Sequence, residues 1–391
     1  MKIESLDFFY LSMPEVLDIG DGSQDALLVR VRAGGYEGWG ECEASPLTSI
    51  AGLVCPLSHS ACKPVQDSVL GQTLDQIADV ARIGNLVRAN SFDLLQADHI
   101  LSGIDIALWD LMGRAHEEPV YKLLGYDTAY RKMPYASMLF GAIPHETLEK
   151  AKQARSAGYQ AVKFGWAGFG AGSVESDEAQ VIAAREGVGK EAVLLIDAGT
   201  VWGADIHPAA LRIPILQECG VTWLEEPFAS GALSSYSRLA QMSGKVRLAG
   251  GEGSHNPHMA RHMIDYGAVG YIQIDTGRIG GISAAKEVVD YAVERGVTYV
   301  NHTFTSYLAL AASLAPYAGV RESILCEYPV EAKPLARDLT HSTIVPGDDG
   351  LIALPEGPGL GITPSLDAIK RYLVDVEIKV GGKLLYRSPE V

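Results

Sequence analysis

The chain has 391 residues, is 47% hydrophobic and carries a formal net charge of −16, so it exceeds one ordinary domain and lacks the basic face that nucleic acid or an anionic membrane surface requires. Five cysteines (Cys42, Cys55, Cys62, Cys219, Cys326) at irregular spacing argue against a disulfide framework or a zinc knuckle and fit reduced thiols in the cytoplasm. The amino-terminal run Met1-Lys2-Ile3-Glu4 has no apolar core of the kind a signal peptide needs.

Residues 2–10 and 26–32 are rich in β-branched, aromatic and apolar types. Gly34-Gly35 then turns the chain into a third run, Tyr36 to Cys42, so a small antiparallel sheet is expected. Two polar segments with little periodicity, Asp18 to Ser23 and Glu43 to Lys63, read as mobile loops of the kind that carry recognition residues. Apolar residues at 100, 104, 107, 108 and 111 follow the helical period. Asp105 and Asp110 on that helix read as solvated or structural. Pro119 to Gly125 closes this first unit.

From about Tyr135 the pattern changes. A helix is expected over Thr147 to Ala157, capped by Gly158. Short apolar runs then lead, one after another, into Lys163, Asp197, Glu225, Glu252, Asp275, His302 and Glu327. From Asp197 onward the intervals are 28, 27, 23, 27 and 25 residues, each the length of one strand, one helix and two short loops. Strand and helix therefore alternate, and a (β/α)-barrel collects such residues at the C-terminal ends of its strands. Tyr307 to Val320 is apolar but too short to span a bilayer and contains Pro316, so it reads as a packed barrel helix. The Pro- and Gly-rich stretch Pro346 to Gly361 breaks regular structure, and the last thirty or so residues are expected to return to the first unit. The expected division is residues 1–128, 129–345 and 346–391.

Asp197, Glu225 and Glu252 offer three hard carboxylates from consecutive strands, the donor set of a Mg²⁺ ion. An ion held there has coordination positions left for water and for a substrate carboxylate. Asp275 and His302 on the next two strands can form a dyad in which the carboxylate fixes the imidazole tautomer and His302 acts as general base. Lys163 can neutralise a substrate oxygen, and Gly165, two residues on, faces the same mouth. Glu327, if protonated, can donate a hydrogen bond to a developing enediolate.

These residues resemble the enolase superfamily and, within it, the mandelate racemase subgroup. The resemblance covers Asp197 in Ile-Asp-Ala, Glu225 in Trp-Leu-Glu-Glu-Pro, Glu252 in Gly-Gly-Glu, Asp275 in Asp-Thr-Gly-Arg-Ile-Gly-Gly and His302 in Asn-His-Thr-Phe. It selects Glu225 over Glu226 as the metal ligand. It extends to Ile104–Leu111 as the capping-domain helix and to Gly357-Pro358-Gly359-Leu360-Gly361 as the C-terminal return. The fold implied is α/β: a modified (β/α)7β TIM-like barrel with an α+β capping domain, whose loops near Asp18–Ser23 and Glu43–Lys63 select substrate. The chemistry implied is a Lys or His base acting with Mg²⁺ through an enediolate. Homo-oligomerisation is implied as well.

Two positions depart from the family pattern: Gly165 stands where a second-face lysine is usual, and Gly199 where an Asn is usual. Loss of a base on one face counts against racemisation and favours a dehydratase acting on an acid sugar. Tyr135 or a cap-domain acid is a candidate second acid. An epimerase or cycloisomerase using the same intermediate is the alternative, and a barrel without turnover is a remoter one.

Overall fold

The architecture follows from two sequence periods, a period of two in the strands and 3.6 in the helices that cover them. The computed structural model describes residues 1–391. Strands β1 (Ile3–Ser12), β2 (Asp25–Ala33) and β3 (Tyr36–Cys42) form an antiparallel sheet in that order. The β2–β3 turn places Gly34 and Gly35 at φ +58° and +83°, the doubly left-handed geometry of a tight hairpin. The helix Ala97–His116 lies on this sheet. It approaches so closely that a Cβ at Gly38 or Gly40 would stand 2.1 Å from a helix carbonyl oxygen, Ala107 or Gly103 respectively. The alternate glycines of Gly38-Trp39-Gly40 thus set the depth of the helix on the sheet.

The expected loop Glu43–Lys63 is not continuous: it contains the helix Pro46–Val54, which buries Ile50, Leu53 and Val54. A nine-residue helix bounded by Pro46 and Cys55 spans too few turns for its period to stand out in the sequence.

The barrel comprises β4 (Met133–Leu139), β5 (Ala161–Gly165), β6 (Val193–Asp197), β7 (Trp223–Glu225), β8 (Arg247–Gly250), β9 (Tyr271–Asp275), β10 (Thr298–His302) and β11 (Leu325–Pro329). They lie in the order β10-β9-β8-β7-β6-β5-β4-β11, all neighbours parallel. One helix fills each gap, from Pro144–Ser156 to Tyr307–Leu314, so the architecture is (β/α)7β. Pro144 at the first turn starts the first of these helices three residues earlier than the apolar period suggests. Tyr307–Leu314 tightens into a 3₁₀ turn, Ala315–Tyr317, at Pro316.

No ladder joins β10 to β11. Side chains stitch that seam instead: Glu327 N donates to Asn301 Oδ1 at 2.9 Å, Tyr317 Oη donates to the same oxygen at 3.0 Å, and Thr303 N donates to Glu327 Oε2 at 2.9 Å. Inside the barrel, Tyr135, Ala161, Leu195, Trp223, Ala249, Val300 and Leu325 form an apolar plug. Two residues further along the respective strands stand Ser137, Lys163, Asp197, Glu225, His302 and Glu327, so the strand period stacks the polar layer directly on the plug.

The cap is fastened to the barrel through Asp105, whose Oδ1 accepts from Ser283 N at 3.0 Å and whose Oδ2 accepts from Ser283 Oγ at 2.6 Å. Ser283 lies in the first turn of the helix Gly281–Arg295. Asp110 is likewise structural, accepting from Trp39 N at 2.9 Å and Leu360 N at 2.8 Å. Neither aspartate is solvated. After the helix Leu366–Tyr372, the hairpin β12 (Glu377–Val380) and β13 (Lys383–Arg387) lies by β1, with Val374 N donating to Tyr10 O and Tyr386 Oη to Phe8 O. All five cysteines are free, and no helix is long and apolar enough to cross a membrane.

Candidate active site

Strand register sets the polar layer. Gly165 pairs with Asp197, Asp197 with Glu225, and Asp275 with His302, each a terminal residue of its strand. Lys163, buried on β5, is the hub of one side: its Nζ lies 2.6 Å from Glu225 Oε1, 2.8 Å from Glu327 Oε1 and 3.5 Å from Asp197 Oδ2. Burial opposes its charge, but Glu225, Glu327, Tyr135 and Asp197 outweigh it and raise the lysine well above its ordinary range. Glu225 Oε2 accepts from Trp223 Nε1 at 3.0 Å.

Across the mouth, His302 Nδ1 donates to Asp275 Oδ2 at 2.6 Å, which leaves Nε2 free to face the cavity, 3.3 Å from Glu252 Oε2. Burial works against a charged imidazole here, yet Glu252, Glu327 and the hydrogen bond to Asp275 raise it to about 10. Asp275 Oδ1 accepts from Gly277 N at 2.7 Å, which fixes the carboxylate plane.

Glu327 lies behind Lys163 and His302 and does not line the cavity. Burial works to protonate it, but Lys163 and His302 prevail and hold it below the ordinary carboxylate range. Its oxygens accept from Ser137 Oγ and Lys163 on one side and Thr303 N on the other. In this arrangement its oxygens accept hydrogen bonds, and the neighbouring positive charges favour its ionised form. Tyr135 belongs to the plug, fully buried beneath Lys163, with its ring centroid 5.6 Å from Nζ. The mouth is out of its reach.

A cavity of about 260 Å³ opens above this layer, walled by Lys163, Asp197, Glu252 and His302 from the barrel and by Gly20, Asp21 and Glu43 from the cap. The cap loop expected at Asp18–Ser23 is therefore at the mouth. Of the second expected loop, only Glu43 reaches this cavity.

Four further polar residues belong to the site. Arg278 reaches Glu252 at 3.3 Å, Glu43 at 3.3 Å and Asp275 at 3.7 Å. Ser137 bonds Glu327. Glu43 is buried and raised to about 8 by burial and by Asp275, against Arg278 and His302. Glu226, buried with φ +37° and one carboxylate oxygen without a partner, is raised well above the ordinary range by burial and by Glu252 and Asp197. Ser137 was legible from strand alternation after Tyr135. Arg278, three residues past Asp275, and Glu43, one past a strand end, carry no such phase.

The donor chemistry fits a divalent cation. Glu43, Asp197 and Glu252 line the mouth and Glu225, Glu226, Asp275 and Glu327 are buried around it, with Lys163, Arg278 and His302 as their cationic partners. Burial and the neighbouring carboxylates push Glu225 up to about 8 in spite of Lys163, and Glu226 keeps an orphaned oxygen. As the side chains stand, no three acidic, cysteine or histidine groups close round one point: Lys163 draws Glu225, while Arg278 and His302 draw Glu252. Register and donor type, and not a formed cage, carry the fit.

Comparison with known proteins shows the family and the fold. Residues 13–125 match the model of the mandelate racemase / muconate lactonizing enzyme N-terminal domain, and residues 146–368 that of the enolase C-terminal domain-like family. The chain is 29% identical to the D-galactarolactone cycloisomerase of Agrobacterium fabrum, over 70% of this chain and 73% of that protein. It is also 29% identical to the arabinonate dehydratase of Saccharolobus solfataricus, over 67% and 69%. Among solved structures, a "predicted Mandelate racemase" from Rhodobacter sphaeroides superimposes with a TM-score of 0.96 at 57% identity, covering 100% of both chains.

Proposed function

The chain belongs to the mandelate racemase / muconate lactonizing enzyme family of the enolase superfamily, and on that premise we propose that it is a Mg²⁺-dependent acid sugar dehydratase. The observation that carries the reading is a mouth with one base: the Asp275–His302 pair stands at 2.6 Å on one side, and on the other, at Gly165, a Cβ would lie 2.7 Å from Asp197 Cβ. A lysine there would collide before it could act.

In its neutral form, which a cation would favour by neutralising the Glu252 carboxylate that raises it, His302 Nε2 takes the proton from the carbon beside the substrate carboxylate, with Asp275 fixing the tautomer and stabilising the imidazolium that results. Lys163 places positive charge beside the substrate oxygens, where negative charge grows as the enediolate forms. The imidazolium then returns its proton to the β-hydroxyl, the carbon–oxygen bond breaks, and water leaves. The enol that remains tautomerises to a 2-keto-3-deoxy acid. Asp197, Glu225 and Glu252 would hold Mg²⁺, which when bound grips and polarises the substrate carboxylate.

The cycloisomerase among the relatives supports a second reading, in which the same proton abstraction expels an internal ring oxygen and no water. Incubation with D-gluconate, D-galactonate, D-arabinonate, L-rhamnonate and D-galactarolactone separates the two. A 2-keto-3-deoxy product from an open-chain acid supports the dehydratase. Ring opening of the lactone alone, with every open-chain acid inert, contradicts it.

A further inference from the structure

Trp166 follows Gly165 at the end of β5. It is 47% exposed, whereas Trp39, Trp109, Trp202 and Trp223 are at most 7% exposed. Its φ is +55°, and Ala167 and Gly168 follow at +50° and +91°. A left-handed conformation is strained for a bulky residue and persists only where its surroundings enforce it. Two glycines supply the surroundings. A Cβ at Gly20 of the cap loop would lie 2.9 Å from indole Cδ2, and a Cβ at Gly199, beyond Asp197, would lie 2.8 Å from indole Cε2. The indole occupies a slot that a side chain at either position would close.

The slot accounts for Gly199, since an Asn there would strike the indole. Trp166 and Gly199 therefore form one unit, continued into the cap by Gly20. Trp166 and Gly20 wall the cavity beside Lys163 and Asp197. β5 stands three strands from β10 by one route round the barrel and five by the other, so the wall lies well across the mouth from His302.

We propose that Trp166 is a specificity-determining residue: its indole bounds the cavity on the side away from His302, confines the carbon chain of an acid sugar between itself and that histidine, and fastens the cap loop to the barrel. The ligand class rests on the dehydratase reading; the slot does not. An indole offers a single N–H donor and no base, so the wall leaves proton abstraction to His302. Its contact with the C–H face of the ligand adds up to about tenfold in binding, or about 1.4 kcal/mol, within the range of an aromatic contact.

Two measurements test this. Acrylamide quenching of tryptophan fluorescence in the free protein reads the slot. Trp166→Phe removes the quenchable component, and Gly20→Ala, with the fold verified by circular dichroism, raises the quenching constant about twofold or more by expelling the indole. Unchanged quenching in Gly20→Ala overturns the slot. Titration of the same fluorescence with the five acids above, in Mg²⁺, reads the wall. The acid that binds shifts the Trp166 emission, Trp166→Ala raises its KM about tenfold with kcat within about threefold, and Trp166→Phe restores most of the loss. The proposal is overturned if no acid shifts the emission, or if Trp166→Ala leaves KM and the ranking of the acids unchanged. Binding and emission shift without turnover would contradict the dehydratase reading and leave the wall standing.

Discussion

Asp105→Ala perturbs the joint between cap and barrel at its most buried point. Asp105 is 2% exposed and accepts both the backbone N–H and the hydroxyl of Ser283, while Trp109 Nε1 donates to the same hydroxyl at 2.9 Å. The alanine variant leaves the Ser283 N–H without its acceptor. An orphaned buried donor costs about 1–3 kcal/mol, which is the destabilisation expected. Asp105→Asn keeps one acceptor oxygen. Because burial already raises the Asp105 carboxyl to about 6, losing its charge forfeits little, and the cost falls to about 1 kcal/mol. Urea unfolding followed by tryptophan fluorescence measures both. An alanine variant within about 0.5 kcal/mol of wild type, the scale of a neutral surface change, or an Asn variant as damaged as Ala, would contradict this. Since Gly20 and Glu43 of the cap line the cavity, the alanine variant is also expected to raise KM more than it lowers kcat.

Three further outcomes follow from the site. Asp275→Asn turns an amide toward His302 Nδ1 and reverses the tautomer, so kcat should fall by roughly 10⁴ with little change in stability; a loss under tenfold contradicts the dyad. Lys163→Met leaves Glu225 and Glu327 buried without their shared cation and should cost about 3–5 kcal/mol, less at low pH, where those carboxyls take up protons; a melting temperature equal to wild type at pH 8 contradicts this. Glu41, which accepts from Ser306 Oγ, is raised by burial from 4.5 to about 7. A carboxyl with a folded-state pKa above its unfolded one contributes stability that is fully present below pH 4.5 and is lost as pH rises towards 7, by about 3 kcal/mol in total. Glu41→Gln should therefore flatten the dependence of the melting temperature on pH between 5 and 8, and an unaltered slope would show that another group is responsible.

The fold and the polar layer were legible for one reason. A barrel strand buried on both faces must be apolar until it reaches the mouth, so Ile196-Asp197, Leu224-Glu225 and Ile274-Asp275 announce both strand and strand end. Residues outside that constraint were less visible. Asp105 and Asp110 look like ordinary polar positions of an exposed helix face until the barrel helix Gly281–Arg295 and the Leu360 segment are seen to cover them. Glu43, Arg278 and Trp166 sit in loops whose geometry depends on the contact between cap and barrel, and no local period records that. Tyr135 shows the reverse case: alternation along β4 places it one layer below Ser137, which a strand-level reading without register could not resolve. Glu327 required its neighbours, since it is the nearby Lys163 and His302 that favour its ionised form.

The most direct test of the single-base dehydratase is ¹H NMR of the Mg²⁺-loaded enzyme acting in ²H₂O on the acid that it turns over, beside His302→Asn and a chelated sample. The account predicts a 2-keto-3-deoxy product with deuterium at carbon 3, no deuterium at carbon 2 of recovered substrate of inverted configuration, and no product in either control. Inverted, deuterated substrate without loss of water would contradict it, because it requires a second base across the mouth from His302, where Gly165 offers no side chain.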